Sequence, residues 1–215
     1  MIAVFGGGEI ATQGIIPAVG GVAVGKDVCD VRDPDAVARA MAELRPGVVI
    51  YTAGISHVAP VAGSNPRQWR EELEVNLLGA YHVARAAVLE GAETLIFVAS
   101  LAGLYGKPEH SGYSASKSGL ISLVQSLALE GHNAYAISPG RVHTGMRERD
   151  YPGEDPRTRL DPRTIGGLVQ SILDGGHTAG DNLVIRMRGH EILPLEVHRG
   201  DGWQQRLKVG EPKLC

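Results

Sequence analysis

The stretch IAVFGGGEIA, residues 2–11, decides how this chain folds. Ile2–Phe5 is a short apolar run rich in branched residues, and it enters Gly6-Gly7-Gly8-Glu9-Ile10-Ala11 without a spacer. The spacing is G-x-G-x-x-A at a strand-to-helix junction. Gly6 permits the tight turn, Gly8 lets the backbone approach a phosphate, and the small Ala11 lets the helix pack closely on its strand. Amides at the start of that helix, at Glu9 and Ile10, face the anion. In this context the spacing points to a bound dinucleotide. The bland counterpart is a tight turn with no ligand.

Working outward, the runs Val22–Val24, Val48–Tyr51, Leu95–Ala99, Ala134–Ile137 and Leu183–Ile185 have strand length and are nearly unbroken in apolar residues. Strands covered on both faces read this way. Between them Pro34–Leu44 (after a capping Asp33), Pro66–Leu89, Ser114–Glu130 and Thr164–Leu173 carry apolar residues at helical spacing. The alternation makes parallel crossovers. The expected fold is α/β, a single-domain Rossmann-type doubly wound parallel sheet with helices on both faces. Residues 1–188 would hold the dinucleotide site and reactive centre, and residues 189–215 a C-terminal extension of the same domain, as a hairpin or as an arm toward a partner subunit.

A length of 215 residues suits one such domain. A chain of this size buries roughly 70% of its unfolded surface and needs no staples. The cysteines, Cys29 and Cys215, make neither a disulfide framework nor a metal spacing. The eight histidines are scattered and no metal ligand set emerges. His57, His110 and His143 follow strand ends, where ligands bind in open α/β sheets. A net charge of −3 without a basic run argues against nucleic acid as a partner. No stretch approaches ~18 apolar residues, so no membrane partner is expected. The start MIAVFGGG lacks signal-peptide features, so the expected location is the cytoplasm. Trp203 reads as packing and Arg199-Gly200-Asp201 as a chance tripeptide.

The adenosine end of a dinucleotide should lie near the tip of the second strand. There Gly25-Lys26-Asp27 offers both a cation for a 2′-phosphate and a carboxylate for a free 2′-hydroxyl. NADP and NAD both stay open, with Lys26, first after the strand, tilting toward NADP. Farther on, Ser100 ends a strand, and Tyr113 and Lys117 share one helix face at a spacing of four. Asn76 lies within the long helix. A phenol near pKa 10 is a poor base at neutral pH, and an ammonium close by should lower it. Such a tyrosine can exchange a proton with a carbonyl or alcohol oxygen while a serine holds that oxygen.

The strings Tyr113-Ser114-Ala115-Ser116-Lys117, FVASLAGLYG (97–106), YSASKSGLISLVQSLALE (113–130) and ISPGRVHTGM (137–146) resemble the short-chain dehydrogenase/reductase family over residues 1–188. Thr52-Ala53-Gly54 resembles its fourth-strand turn, Asp30-Val31 its partner to the adenine ring, and Glu74-Val75-Asn76 its helix asparagine. Pro139-Gly140, with Val142 and Thr144, resembles its nicotinamide-side turn. The resemblance implies Tyr113 as acid/base and Lys117 on the nicotinamide ribose, lowering the tyrosine pKa. It implies Ser100 orienting substrate and Asn76 supporting a water-linked proton relay. It also implies an NAD(P)-dependent oxidoreductase acting on a small-molecule carbonyl or alcohol as a homodimer or homotetramer, joined through Pro66–Leu89 and Ser114–Glu130.

The chain departs from that pattern in three places. Phe5 replaces a threonine in a shortened glycine turn, and Tyr51-Thr52 replaces an asparagine pair. By the same reading Val22–Val24 passes almost at once into a further strand, Val28–Val31, with no helix between. That shortcut looks like the sugar-nucleotide-modifying branch and raises a sugar-nucleotide reductase or epimerase as an alternative. A dinucleotide-binding sensor or scaffold without turnover is another. Arg147–Arg163, rich in charges and prolines, reads as a mobile loop closing over substrate, with a polar or anionic substrate suggested by its charges.

Overall fold

The computed structural model describes residues 1–199. Its strands are β1 (Ile2–Phe5), β2 (Val22–Val24), β3 (Val48–Tyr51), β4 (Thr94–Val98), β5 (Ala134–Pro139), β6 (Asn182–Ile185) and, beyond a small β7–β8 pair (Met187–Arg188, Glu191–Ile192), β9 (Glu196–His198). They form one sheet in the order β2-β1-β3-β4-β5-β6-β9. All its pairings are parallel except β6 with β9. The architecture is the expected Rossmann-type doubly wound sheet.

The unbroken apolar strands serve two cores. Ala3 and Phe5, Val49 and Tyr51, and Leu95 and Phe97 face one side, where α2 (Pro34–Leu44), α4 (Gly79–Leu89) and α5 (Ser111–Leu129) lie. Val4, Ile50, Ile96 and Ile137 face the other, against Ile15 and against Ile165 and Val169 of α7 (Pro162–Leu173). Each strand alternates faces and both faces are buried, so neither needs polar residues.

The helix opened by the glycine turn starts as a π-helical stretch, Ile10–Ile15, and ends as the turn α1 (Ile16–Val19). The long helix expected over Pro66–Leu89 is α3 (Pro66–Leu73), a π-helical stretch Glu74–Leu78, and α4. Asn65 and Asp161 cap α3 and α7 by accepting from Arg67 and Arg163 amides, each followed by a proline at the first helical position.

Two expectations need correction. Val28–Val31 is not a strand. The Val28 and Cys29 amides donate to the Gly25 carbonyl, and the Asp33 amide to the Asp30 carbonyl, so the segment is a run of tight turns. Only residues 25–27 separate it from β2, and a parallel neighbour needs a crossover of about a dozen residues. The alternation that mimics a strand is an exposed Val28 between turns, with Cys29 and Val31 buried beneath α4. Arg147–Arg163 is not irregular throughout. It begins inside α6 (Gly145–Asp150) and includes a turn at Pro156–Thr158. Within it the side chain of Arg159, fully buried, pairs with Glu154 and Glu148. Of the tail, residues 189–199 supply β8 and the edge strand β9, while Asp201, Trp203 and Cys215 lie outside the described residues.

The glycine-turn helix and α7 cross with backbones touching. A Cβ on Gly166 would lie 2.2 Å from the Gly14 carbonyl oxygen, whereas one on Gly167 would meet nothing within 4 Å. Helix propensity alone favours alanine at either position by about 1 kcal/mol. We expect Gly167→Ala to raise stability by ~0.5–1 kcal/mol and Gly166→Ala to lower it by ~1–3 kcal/mol. Urea unfolding checks this, and equal effects at the two sites would refute the close crossing.

Candidate active site

β1 is the switch point of the sheet, with β2 on one side and β3 on the other. Such a point leaves a crevice at the carboxyl ends of the strands. Gly6, at φ +132°, turns the chain there. A Cβ on it would sit 2.3 Å from Thr52 Oγ1 and 2.7 Å from the Ala53 amide nitrogen. Only glycine fits both demands. Gly8 has open space where a Cβ would stand, and Ala11 is fully buried. Gly6 and Ala11 thus meet the steric demands their spacing implies, and Gly8 leaves open space at the helix start.

The crevice holds two adjoining cavities. The first, about 270 Å³, is lined by Gly6, Gly8, Glu9 and Ile10, by Lys26, Asp30 and Val31, and by Ala53 and Gly54. Asp27 does not line it. Arg32, not singled out from sequence, does, and its guanidinium grips Asp30 at 2.6–3.1 Å. That hydrogen bonding holds the Asp30 carboxyl down at about 2. Glu9 spans the crevice, its carboxylate accepting from the Gly145 amide at 2.9 Å.

The second cavity, about 600 Å³, shares Ile10, Thr52, Gly54, Thr144 and Met146 with the first. Ser100, Tyr113, Lys117, Pro139, Gly140 and Val142 line it. Ser100 caps a short turn by accepting from the Ala102 amide at 3.2 Å. Thr144 caps α6 through the Arg147 amide. The Lys117 ammonium is buried and donates to the Val98 carbonyl at 2.9 Å, 5.8 Å from the Tyr113 ring centre. Burial lowers its pKa to about 8.

The expected lowering of the tyrosine is not what this cleft produces. Burial pushes the Tyr113 phenol up, and the neighbouring Ser100 hydroxyl only opposes this. The physical reason is that charging a partly buried phenol costs more than these neighbours return. Lys117 is turned onto Val98 rather than onto the phenol oxygen.

Asn76 lines neither cavity. It is fully buried, accepts from the Ile55 amide at 2.8 Å, and donates to the Ile55 carbonyl and the Ser116 hydroxyl, each at 3.0 Å. Ser116 in turn donates to the Tyr113 carbonyl at 2.7 Å. A Cβ on Gly54 would lie 3.4 Å from Asn76 Oδ1 and 3.6 Å from Lys117 Nζ, so loop, asparagine and lysine converge. Glu72, one turn earlier, accepts from the His57 amide at 2.8 Å, and burial pushes its carboxyl up. The unusual Tyr51-Thr52 pair also has partners: the Tyr51 hydroxyl donates to the Val75 carbonyl of the π-helical stretch, and the Thr52 hydroxyl to the Phe5 carbonyl.

Of the three histidines near strand ends, His110 alone lines the second cavity. Its Nδ1 lies 2.9 Å from the Pro108 carbonyl, so that nitrogen donates. Nε2 then accepts from the Tyr151 hydroxyl at 3.0 Å, and burial lowers the imidazole pKa. The two rings are stacked at 5.7 Å. His57 lies beside Glu71, and His143 is exposed. Sequence spacing carries no signal for Tyr151, Lys107 or Met146, which reach the cleft only through the fold. Among the described residues no cluster of side chains could hold a metal ion, and no helix is long and apolar enough to cross a membrane.

A profile of the short chain dehydrogenase family matches residues 20–155. The chain belongs to that family. It is 40% identical over 134 residues to an uncharacterized short-chain type dehydrogenase/reductase of Sinorhizobium fredii, covering 57% of this chain and 24% of that protein. It is 32% identical over 157 residues to the 3-oxoacyl-(acyl-carrier-protein) reductase MabA of Mycobacterium avium, covering 67% of this chain and 58% of that protein. The chain thus spans between about a quarter and three-fifths of the length of these curated relatives. Among solved structures, a putative short-chain alcohol dehydrogenase from Sinorhizobium meliloti superposes with a TM-score of 0.66 at 28% identity, over 76% of this chain and 74% of that one. A 3-oxoacyl-(acyl-carrier protein) reductase from Brucella melitensis superposes at 0.68 and 23% identity, over 86% of this chain and 89% of that one, a likeness of fold.

The asparagine network yields a prediction. Asn76→Ala strands the half-buried amide and carbonyl of Ile55 and removes a partner of the buried Ser116 hydroxyl. The expected loss of stability is ~2–4 kcal/mol. Denaturant unfolding measures it, and a loss below ~1 kcal/mol would mean that water replaces the amide.

Proposed function

We propose that this chain transfers hydride between a nicotinamide dinucleotide and the carbonyl or alcohol of a small molecule. The observation that carries this is the continuity of two cavities, one walled by the glycine turn and the other by Ser100, Tyr113 and Lys117. The residues present fit the cofactor. Gly8 leaves room for phosphates at a helix start, with Gly6, Glu9 and Ile10 around them. Asp30 and Val31 would flank the adenine, and Ala53, Gly54, Pro139, Gly140, Val142 and Thr144 would continue the trough toward the nicotinamide. Bound there, the dinucleotide supplies or accepts the hydride. Lys26 on the first cavity, with Asp27 turned out of it, favours NADP over NAD.

The chain's own part is proton handling and positioning. A phenol pushed up by burial is protonated at neutral pH, which suits an acid. Tyr113 donates its proton to the carbonyl oxygen as reduction proceeds, and the Ser100 hydroxyl holds that oxygen. Lys117, fixed on the Val98 carbonyl, presents its charge beside the ribose and the phenol. Asn76 positions Gly54 and Ile55 behind them. The relatives named for 3-oxoacyl reduction and for D-beta-hydroxybutyrate dehydrogenation support this carbonyl–alcohol chemistry.

Tyr113→Phe should lower turnover of a responsive carbonyl by about 10²-fold or more while NADPH still binds, followed by cofactor fluorescence. Unchanged turnover would defeat the assignment. The pH dependence has a definite sign. A lysine lowered to about 8 is charged below that pH and neutral above it, so kcat/KM for reduction should hold level near neutrality and decline as pH rises through about 8. A flat profile to pH 10 in a stopped assay would exclude Lys117 as the controlling charge.

Self-association belongs to the same reading. Trp69, Leu78, Tyr81, Leu89 and Leu129 expose apolar surface on α3–α5 and the π-helical stretch between. A dimer or tetramer is expected in sedimentation, and a species of 22.8 kDa at all concentrations would oppose it.

A further inference from the structure

The outer wall of the second cavity carries five charged groups whose accounts do not balance. Arg147 forks onto Glu154 and lies 3.8 Å from the Tyr151 ring centre. Arg141 also reaches Glu154, at 3.4 Å. Asp150 is paired with Arg149 at 2.9 Å. That leaves Lys107. Its ammonium stands 4.2 Å from the centre of the Tyr151 ring, and among the described residues no carboxylate lies within ion-pair distance of it. Half-buried, with Arg141 and Arg147 nearby, the ammonium is lowered to about 8, burial being the largest cause.

An aromatic face returns little to a cation at a partly exposed site. A neutral side chain would cover Tyr151 without the desolvation. The charge is therefore held for something that enters the cavity. Ser56 points to the same need. The residue lines this cavity and is 5% exposed, and its buried hydroxyl has no hydrogen-bond partner. Asp150 and Glu154 face the same space as Lys107, but each is already neutralised by arginine, and Tyr151 is tied to His110.

We propose that Lys107 selects the substrate: the compound this site takes bears an anionic oxygen group, a carboxylate or a phosphate, which Lys107 engages while the reacting oxygen lies at Tyr113 and Ser100. This rests on the hydride-transfer reading above and adds the substrate class to it. An anion at Lys107 restores the partner that burial removed and excludes water from the outer end of the cleft.

The test uses the full chain, saturating NADPH or NADH, and matched pairs: acetoacetate and ethyl acetoacetate, levulinate and ethyl levulinate, dihydroxyacetone phosphate and dihydroxyacetone. The wild type should prefer the charged member in kcat/KM. Lys107→Met should cut that charged-to-neutral preference by about tenfold or more, the effect of one charge-assisted contact, and Lys107→Arg should keep it. The first two pairs against the third separate carboxylate from phosphate. If neutral members are reduced and the preference is absent, or is the same in Lys107→Met, the assignment to Lys107 is overturned while hydride transfer stands. Cofactor binding in which no charged member is turned over or perturbs the cofactor fluorescence overturns it as well. If no cofactor binds and nothing is turned over, both readings fall together.

Discussion

One buried amide holds the Tyr113 side of the cleft together. Asn76 sits in a π-helical stretch, where one extra residue per turn leaves side chains and carbonyls out of their usual register. Its three hydrogen bonds reach the backbone of the loop after β3 and, through Ser116, the helix turn that bears Tyr113. The same stretch offers the Val75 carbonyl to Tyr51. Three elements far apart in sequence therefore share one set of bonds. Gly54, Tyr113 and Lys117 cannot move independently without leaving a fully buried polar group unpaired, and an unpaired buried group costs about twice what a typical hydrogen bond contributes net.

That rigidity sets the terms for the charges. In water, an ammonium would favour a phenolate nearby. In this cleft burial acts on both groups and drives each toward its neutral form, Lys117 downward and Tyr113 upward. The Val98 carbonyl, not the phenol, accepts the lysine's hydrogen bond. The outer end of the cleft is organised by a different rule. There Glu154 collects Arg147, Arg159 and Arg141, and its carboxyl stays at about 2. The segment that follows α6 is folded around that carboxylate, with Arg159 buried as its counterion.

Much of this was legible in the residues. Gly6, Gly8 and Ala11 have different spatial duties, and their spacing states them because backbone sterics are local. The strands read correctly because a strand buried on both faces needs no polar residues. Tyr113 and Lys117 share a helix face by periodicity alone. Three things were not legible. Val28–Val31 carries the composition of a strand, but whether it can join the sheet depends on crossover length. Arg147–Arg163 carries the composition of an open loop, but Glu154 and Arg159 find each other only once α6 has turned the chain. Glu72 and Asn76 face a core that periodicity would fill with apolar residues, because what they bond to is backbone from another element.

The sequence by itself determined the order of elements, the glycine turn and the one-face pairing of Tyr113 with Lys117, since each follows from contacts within a few residues along the chain. Only the tertiary structure decided that Lys117 turns to Val98, that Asn76 supports rather than lines the cleft, that Lys26 and not Asp27 borders the first cavity, and that Lys107 stands without a counterion. Those outcomes depend on burial and on which groups the fold brings within about 3 Å of one another, and neither quantity is written in local spacing.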